Sequence, residues 1–476
     1  MRILHVASEA TGLVKTGGLA DVVTGLTRAQ HDAGDDVRVL LPAYPGCAQR
    51  ADATVSHALG DPLGFGPARL LEGRIPGTST PAWLVDAPSL YARDGGPYVG
   101  SDGHPYADNH LRFALLGRVG AILATAGPLL GWEPEVVHAH DWQAALAPAT
   151  LRWWGGARPG TVTTIHNLRF QGRFDPAVVP EVGLPVEAYA VEGAEAYGSF
   201  CFLKAGLVYS DRITTVSPTY AEEIQSELGG EGLHGLLRHR KDALHGILNG
   251  IDESAWNPSD DPAIEAPFDA QRLTRRATNK RALQRELGLE PTDAPLLGVV
   301  SRLSDQKGID LLLGALPRLL QAPLQVAVLG SGDPGLESTL RDLARAHPRR
   351  VGVFIGYDEG LSHRVFAGAD MMCVPSRFEP CGLTQMYAMR YGALPVVRFT
   401  GGLADTVRDV SAGGCGFTFE DIDAGALGHA IERALHLYAD RDAWTRLQLQ
   451  AMRRSFGWDD AAKRYAEVYA AATAST

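Results

Sequence analysis

The chain reads as an α/β protein built of two doubly wound, mostly parallel sheets, and three observations predict it. Apolar runs of strand length alternate with helical patterns in two successive blocks. Those runs are continuously apolar, as strands covered on both faces must be. At 476 residues the chain exceeds what one hydrophobic core holds. In the first block ILHVAS (3–8) leads into a helix over about 19–32, and DVRVLLPAY (36–44) follows. EVVHAH (135–140), TVTTIHN (161–167) and RITTVS (212–217) come next, the last feeding a helix that Pro218 can start. The second block repeats the rhythm with LLGVVSRL (296–303), LQVAVLG (324–330), VGVFIG (351–356), DMMCVPS (370–376) and LPVVRF (394–399). Between them DESAWNPSDDPAIEAPFD (252–269) breaks the pattern with prolines and acids, which puts the domain boundary there: 1–251, then 252–457. WDDAAKRYAEVYAAA (458–472) has helical spacing and is expected to pack on a domain as a closing helix. Region 54–110 is Gly- and Pro-rich and carries Trp83, Tyr91, Tyr98 and Tyr106; it reads as a long insertion, functional or poorly ordered.

Composition narrows the function classes. The formal net charge of −11 argues against nucleic acid or an anionic membrane as partner, while leaving room for a small phosphate-bearing ligand held by a few local cations. Cys47, Cys201, Cys373, Cys381 and Cys415 are odd in number and scattered, forming neither a CxxC metal pair nor a disulfide framework. MRILHVASEA reaches a charge too soon for a signal peptide, and no later window is apolar enough to span a membrane, so a cytoplasmic location is expected.

The phrase TGGLAD occurs twice, at 16–21 and 400–405. In the first copy Gly17 and Gly18 fall at a strand-to-helix turn, where backbone N–H groups and a helix N-terminus can meet an anion, and Lys15 adds a full charge. The alternative is a plain tight turn with a surface lysine. FEPCGLTQMYAMRYG (378–392) repeats the geometry, with Glu379 in a loop after a strand and CGLTQMYAM opening a helix. An acid gripping hydroxyls beside amides gripping phosphate explains that pairing; a helix-capping glutamate is the alternative. In SRLSDQKG (301–308), Arg302 and Lys307 match a diphosphate, although singly such residues are usually solvated surface. GSGDPG (330–335) is a formal GxGxxG, but the acids some 20 residues on (Asp358, Glu359) are not cleanly at a strand end. HAHDW (138–142) puts His138 and His140 on one strand face without an evident third metal ligand, and His166 ends another strand as a candidate polar group.

Taken together, KTGGLADV (15–22), HAHDW, IHN, SRLSDQKG, GSGDP, SRFEPCGLTQ and the second TGGLAD closely resemble the bacterial glycogen synthase family and its plant starch synthase relatives, over essentially the whole chain. The resemblance implies a GT-B fold, two Rossmann-like domains facing a cleft, with the final helix (458–476) crossing back to the N-terminal domain. It implies transfer of glucose from ADP-glucose to the non-reducing 4-hydroxyl of an α-1,4-glucan such as glycogen, with retention, no metal and no cofactor. It matches Lys15, Gly18 and Asp21 to the donor loop, and Arg302 and Lys307 to the pair that neutralises the leaving diphosphate. Glu379 matches the acid holding the glucose hydroxyls, with Cys381, Gly382, Leu383 and Thr384 at the helix start beneath the phosphates. His166 matches a residue near the 6-hydroxyl and anomeric carbon, Asp141 and Asn249 match polar groups of the sugar site, and Tyr357 an adenine-stacking position. With Lys15 in one domain and Arg302, Lys307 and Glu379 in the other, closure is expected.

Three positions depart from the family pattern. Tyr387 stands where many GT-B transferases carry a second glutamate, Arg169 follows HNL in place of a small residue, and DVSAGGCGF (409–417) is short. Tyrosines and tryptophan of 83–106 are candidates to stack on glucan rings. In the second TGGLAD, Phe399 takes the place of Lys15, leaving open whether that copy meets ligand or only turns the chain. UDP-glucose as donor, a nucleotide-dependent oxidoreductase resting on GSGDPG, and a non-catalytic glucan- or nucleotide-binding protein are the rival readings.

Overall fold

The computed structural model describes residues 1–126 and 131–475. The chain divides into two compact units, one of Met1–Gly250 with the C-terminal segment from Trp458, the other of Ile251–Gly457.

The first unit's strands are β1 (Arg2–Val6), β2 (Asp36–Pro42), β3 (Thr54–Gly60), β4 (Ala68–Arg74), β5 (Pro81–Asp86), β6 (Val136–His140), β7 (Gly160–Ile165), β8 (Arg173–Phe174), β9 (Glu195–Ala196), β10 (Ser199–Cys201), β11 (Arg212–Thr215) and β12 (Leu244–Gly246). Nine form one sheet in the order β12-β11-β7-β6-β1-β2-β5-β4-β3, and β8-β10-β9 form a small second sheet. From β1 the chain winds one way to β2 and later resumes on the other side at β6, so the carboxyl ends of β1 and β6 flank the switch point where open α/β sheets leave a crevice.

The Gly- and Pro-rich insertion is not a loose one. β3, β4 and β5 extend the sheet, with β4 antiparallel to both neighbours. Trp83, only 3% exposed, packs edge-on against Trp132 with the Arg38 guanidinium over both rings, and Tyr91 donates from the core to the Arg112 carbonyl. Burial removes both as glucan-stacking rings. The amphipathic helix Gly18–Asp32 and the C-terminal helix Asp459–Thr473 pack against the central strands β7, β6, β1 and β2, joining Ile3, Val37, Val136 and Val162 to Tyr465 and Tyr469 in one cluster. That approach requires glycine: a Cβ on Gly25 would lie 2.1 Å from Trp458 Nε1, and one on Gly160 2.8 Å from the Ala472 backbone.

The second unit holds a six-stranded, wholly parallel sheet of β13 (Leu296–Val300), β14 (Gln325–Gly330), β15 (Val351–Ile355), β16 (Met371–Val374), β17 (Leu394–Arg398) and β18 (Phe417–Phe419). Its order β15-β14-β13-β16-β17-β18 puts the switch point between β13 and β16. All five cysteines are free and buried, and no described helix is long and apolar enough to cross a membrane.

Candidate active site

In the first unit β1 ends at Val6, and a loop over 7–17 delivers the chain to the helix that starts at Gly18. Gly17 is the N-cap with no side-chain cap, so the first N–H groups of a 15-residue helix face outward unfilled by the protein's own side chains. Lys15 Nζ donates to Asp21 Oδ1 at 2.8 Å. Glu9, 3% exposed, anchors the loop by accepting from Thr16 N–H at 2.5 Å and Thr16 Oγ1–H at 2.6 Å. Tyr98, from the inserted region, donates to the same carboxylate and shares a hydrogen bond with Ser8. The insertion therefore reaches the Lys15 loop through Tyr98.

At the carboxyl ends of β6 and β7 stand Asp141 and His166. Asp141 has φ 56°, an uncommon conformation for a residue other than glycine, of order 1–3 kcal/mol in cost. Its Oδ1 accepts the backbone N–H of His166 at 2.7 Å and of Asn167 at 3.5 Å. Burial outweighs those bonds and pushes its carboxyl up to about 7. Asn249 is 5% exposed, and its Oδ1 has no hydrogen-bond partner among the described residues. Beside this loop lies a cavity of about 550 Å3 lined by Trp142, Arg169, Phe170, Gln171, Arg173 and Glu231.

His5 on β1 pairs in register with His138 on β6, supplying the third histidine that the HAHDW motif lacked. All six ring nitrogens of His5, His138 and His140 are nonetheless engaged. His5 bonds Gln30 (2.8 Å) and His140 (2.9 Å), His138 bonds Tyr469 (2.8 Å) and Thr164 (2.5 Å), and His140 also bonds His166 (2.9 Å). A metal ion there would have to break this network, so the residues do not fit one. Burial lowers His5 to about 4 and His166 to about 3, and holds His138 and His140 well below the usual histidine range. The cluster is neutral near pH 7.

In the second unit the loops after β13 and β16 meet. Lys307 Nζ donates to Glu379 Oε2 at 2.6 Å, and Ser376 Oγ donates to the same oxygen at 2.8 Å. The loops are held together by Arg377 N–H on the Gln306 carbonyl at 2.9 Å and by the close approach of Gly308, whose Cβ would lie 2.0 Å from the Pro375 carbonyl. Arg302 is exposed and forms no ion pair among the described residues. Cys381, Gly382 and Leu383 form the turn before a short helix that begins at Thr384, and Gly382 has φ 72°.

The second TGGLAD lies against this loop. Gly401 and Gly402 open the helix Gly401–Thr406, and Gly402 N–H donates to the Glu379 carbonyl at 3.1 Å. A Cβ on Gly401 would lie 2.0 Å from the Glu379 carbonyl oxygen, and one on Gly402 2.2 Å from that of Cys381. In the first copy a Cβ on Gly17 would meet nothing within 4 Å. One copy thus fills its glycine space with the Glu379 backbone, and the other leaves it open.

GSGDPG does not offer a dinucleotide site. Asp333 caps its helix, accepting from Gly335 and Leu336 N–H at 2.8 and 3.0 Å, so the protein's own carboxylate occupies the anion position. Tyr357 is 75% exposed, its hydroxyl on Glu359 at 2.8 Å. Tyr387 stacks on Trp256 with ring centroids 3.9 Å apart, so the place of the missing glutamate is packed with aromatic rings. Sequence reasoning missed Glu9, His5, Gln30 and Ser376; only Glu9, a lone acid directly after the strand-like run 3–8, left a trace.

Residues 2–239 match the starch synthase catalytic domain family and residues 280–447 the glycosyl transferases group 1 family. The glycogen synthase of Rhodospirillum rubrum is 48% identical over 98% of both chains, and that of Paramagnetospirillum magneticum 50% identical over 99% of this chain and 98% of its own. The catalytic domain of Starch Synthase IV from Arabidopsis thaliana, solved bound to ADP and acarbose, superposes with a TM-score of 0.90 at 31% identity, covering 99% of each chain. With two sheets that each carry polar loops at a switch point, and relatives matched end to end, the chain belongs to the glycogen synthase family, hexosyltransferases of the GT-B fold.

Proposed function

We propose that the chain transfers glucose from ADP-glucose to the non-reducing 4-hydroxyl of an α-1,4-glucan with retention of configuration. The observation that carries this reading is the Lys307–Glu379–Ser376 group at the second unit's switch point, with exposed Arg302 on the same loop as Lys307. Breaking a glucose–phosphate bond leaves negative charge on the departing diphosphate and positive charge on the sugar ring. Fixed cations stabilise the first, and a carboxylate that accepts sugar hydroxyls orients the second. In this reading Arg302 and Lys307 take the diphosphate, Glu379 the glucose hydroxyls, and Cys381, Gly382, Leu383 and Thr384 lie beside the phosphates. In the first unit Lys15, Gly18 and Asp21 are the proposed donor-loop residues and Asp141, His166 and Asn249 the proposed sugar-site residues; in the second unit Tyr357 is the proposed base contact. The ADP and acarbose named for the Arabidopsis relative support a nucleoside diphosphate and an oligosaccharide as ligand classes. The cavity beside Arg169 and Phe170 is where the acceptor glucan is expected to run.

The mechanism proposed is same-face attack within an ion-pair-like transition state, without a covalent glucosyl–enzyme intermediate. A glucosyl adduct trapped on Glu379 or Asp141 would overturn it. The activity itself is tested by nucleoside diphosphate release from ADP-glucose and UDP-glucose, each with and without glycogen. Glycogen-dependent release from ADP-glucose is expected. Faster release from UDP-glucose would replace the donor, and glycogen binding without release would leave a binding protein.

A further inference from the structure

Three buried histidines, one glutamine and one tyrosine form a hydrogen-bonded network that runs from the C-terminal helix to the half-buried His166. Gln30 lies on the helix Gly18–Asp32, 1% exposed, with Oε1 toward His5 Nε2 at 2.8 Å and Nε2 toward Tyr469 Oη at 3.0 Å. Each side chain of the path has two faces, so the proton on one fixes the proton on the next. An amide oxygen only accepts, so His5 must carry its proton on Nε2, leaving Nδ1 as an acceptor. His140 then donates from Nε2 across 2.9 Å, leaving its own Nδ1 as an acceptor. His166 in turn donates from Nε2 across 2.9 Å. The other branch agrees: the Gln30 amide donates to Tyr469, whose hydroxyl donates to His138 Nδ1 at 2.8 Å, and His138 Nε2–H donates to Thr164 at 2.5 Å. Every ring nitrogen of His5, His138 and His140 is used once, with no donor facing a donor.

We propose that Gln30 is a positioning residue for His166: through His5 and His140 it fixes the His166 imidazole as the Nε2–H tautomer and leaves Nδ1 as a hydrogen-bond acceptor for a sugar hydroxyl. His166 Nδ1 has no protein partner among the described residues. Burial keeps all four rings uncharged, so the path holds one proton per histidine and has only two self-consistent directions. Reversing it would put a donor on His166 Nδ1. Tyr469 ties the choice to the C-terminal helix, which gives that helix a role beyond covering apolar surface. The use of the acceptor by a sugar rests on the proposed function; the tautomer itself does not.

The test is the imidazole 15N spectrum of the full chain without substrate, with His166 assigned by its absence in His166→Gln. Wild type is expected to show Nε2 protonated and Nδ1 bare. Gln30→Met, which neither donates nor accepts strongly, is expected to populate both His166 tautomers. It should also lower kcat about 10-fold, the worth of one neutral hydrogen bond, with KM for ADP-glucose changed less than about 2-fold. If Gln30→Met does not fold, Tyr469→Phe frees the same amide to turn and is expected to mix the tautomers likewise. A proton on His166 Nδ1 in wild type, or an unchanged His166 spectrum in the variants, overturns the proposal. If the spectra follow it and ADP-glucose gives no ADP, the tautomer relay stands and the donor reading falls.

Discussion

The two TGGLAD copies allow one substitution to be tried in two settings. Gly17 and Gly401 hold the same place in the hexapeptide, but Gly17 is extended at φ −164° and Gly401 is left-handed at φ 45°. Alanine at Gly401 carries about 1–2 kcal/mol for the left-handed backbone. Its Cβ would also lie 2.0 Å from the Glu379 carbonyl oxygen, where real contacts essentially never fall under 3.0 Å. Relief needs a displacement of about 1 Å, and overpacking of that kind adds about 1–3 kcal/mol. Gly401→Ala should therefore lose about 2–5 kcal/mol, lowering the melting temperature of the second unit by roughly 5–15 °C. Glu379 is attached to the displaced carbonyl, and a misplacement of about 1 Å at a reacting centre can lower turnover about 100-fold. Gly17→Ala meets nothing within 4 Å and should cost only about 1 kcal/mol, the penalty of alanine at a helix N-cap. Its effect, if the donor phosphates approach that backbone, belongs to donor KM. Calorimetry of both variants with glycogen-dependent ADP release decides the matter. A Gly401→Ala protein that melts and turns over like wild type would refute the packing reasoning.

Three further outcomes follow from the same geometry. Asp141 is held protonated by burial up to about 7 against an ordinary 3.8, so stability is full below pH 3.8 and is lost as pH rises through 7; Asp141→Asn should abolish that slope and gain up to about 4 kcal/mol at pH 8, read by unfolding across pH. Lys15→Ala breaks an ion pair whose partners are 28% and 26% exposed, so it should cost at most about 1 kcal/mol in stability while raising donor KM; a large fall in melting temperature would make Lys15 a structural residue. Tyr387→Glu sets a carboxylate against the Trp256 face at a site 9% exposed and should cost about 3 kcal/mol by denaturant unfolding, without creating a useful ribose contact.

Strands of the two sheets were legible because parallel strands covered on both faces leave continuous apolar runs, which no turn or helix surface imitates. The 54–110 segment misled because it is rich in glycine and proline, yet its strands pair antiparallel at the sheet edge, where β3 is mostly exposed and β4 only part-buried, so neither leaves a continuous apolar run. Candidate site residues lying in ordered motifs, such as Glu379 and Lys307, could be picked out by type and spacing. Their partners could not. Glu9 matters through Thr16 and Tyr98, and His5 through a register with β6, contacts that exist only once distant strands pair. GSGDPG shows the opposite failure: its spacing fits a nucleotide fingerprint, but Asp333 inside the motif fills the helix end.

The lysine in each unit is already paired with a carboxylate, and the two pairs differ in what a ligand must replace. Lys15 and Asp21 are both part-exposed, so a phosphate can draw Lys15 away while water takes Asp21. Glu379 is only 7% exposed and shares Lys307, 19% exposed, at 2.6 Å. A diphosphate that claims Lys307 leaves a buried carboxylate with Ser376 as its remaining side-chain donor, a state that costs several kcal/mol unless new donors arrive. Sugar hydroxyls are such donors, so on the proposed function the whole nucleotide sugar satisfies both groups while the diphosphate product satisfies one. Replacing the acid with its amide removes the competition for Lys307. Glu379→Gln should thus bind ADP at least as tightly as wild type, and by up to about 10-fold more tightly for the one charge-assisted bond released. The same variant should lose glucose transfer. Titration calorimetry with ADP alone measures the first, and ADP release from ADP-glucose the second. If ADP affinity instead falls along with turnover, Lys307 is not shared between the acid and the phosphates, and Glu379 serves the nucleotide rather than the sugar.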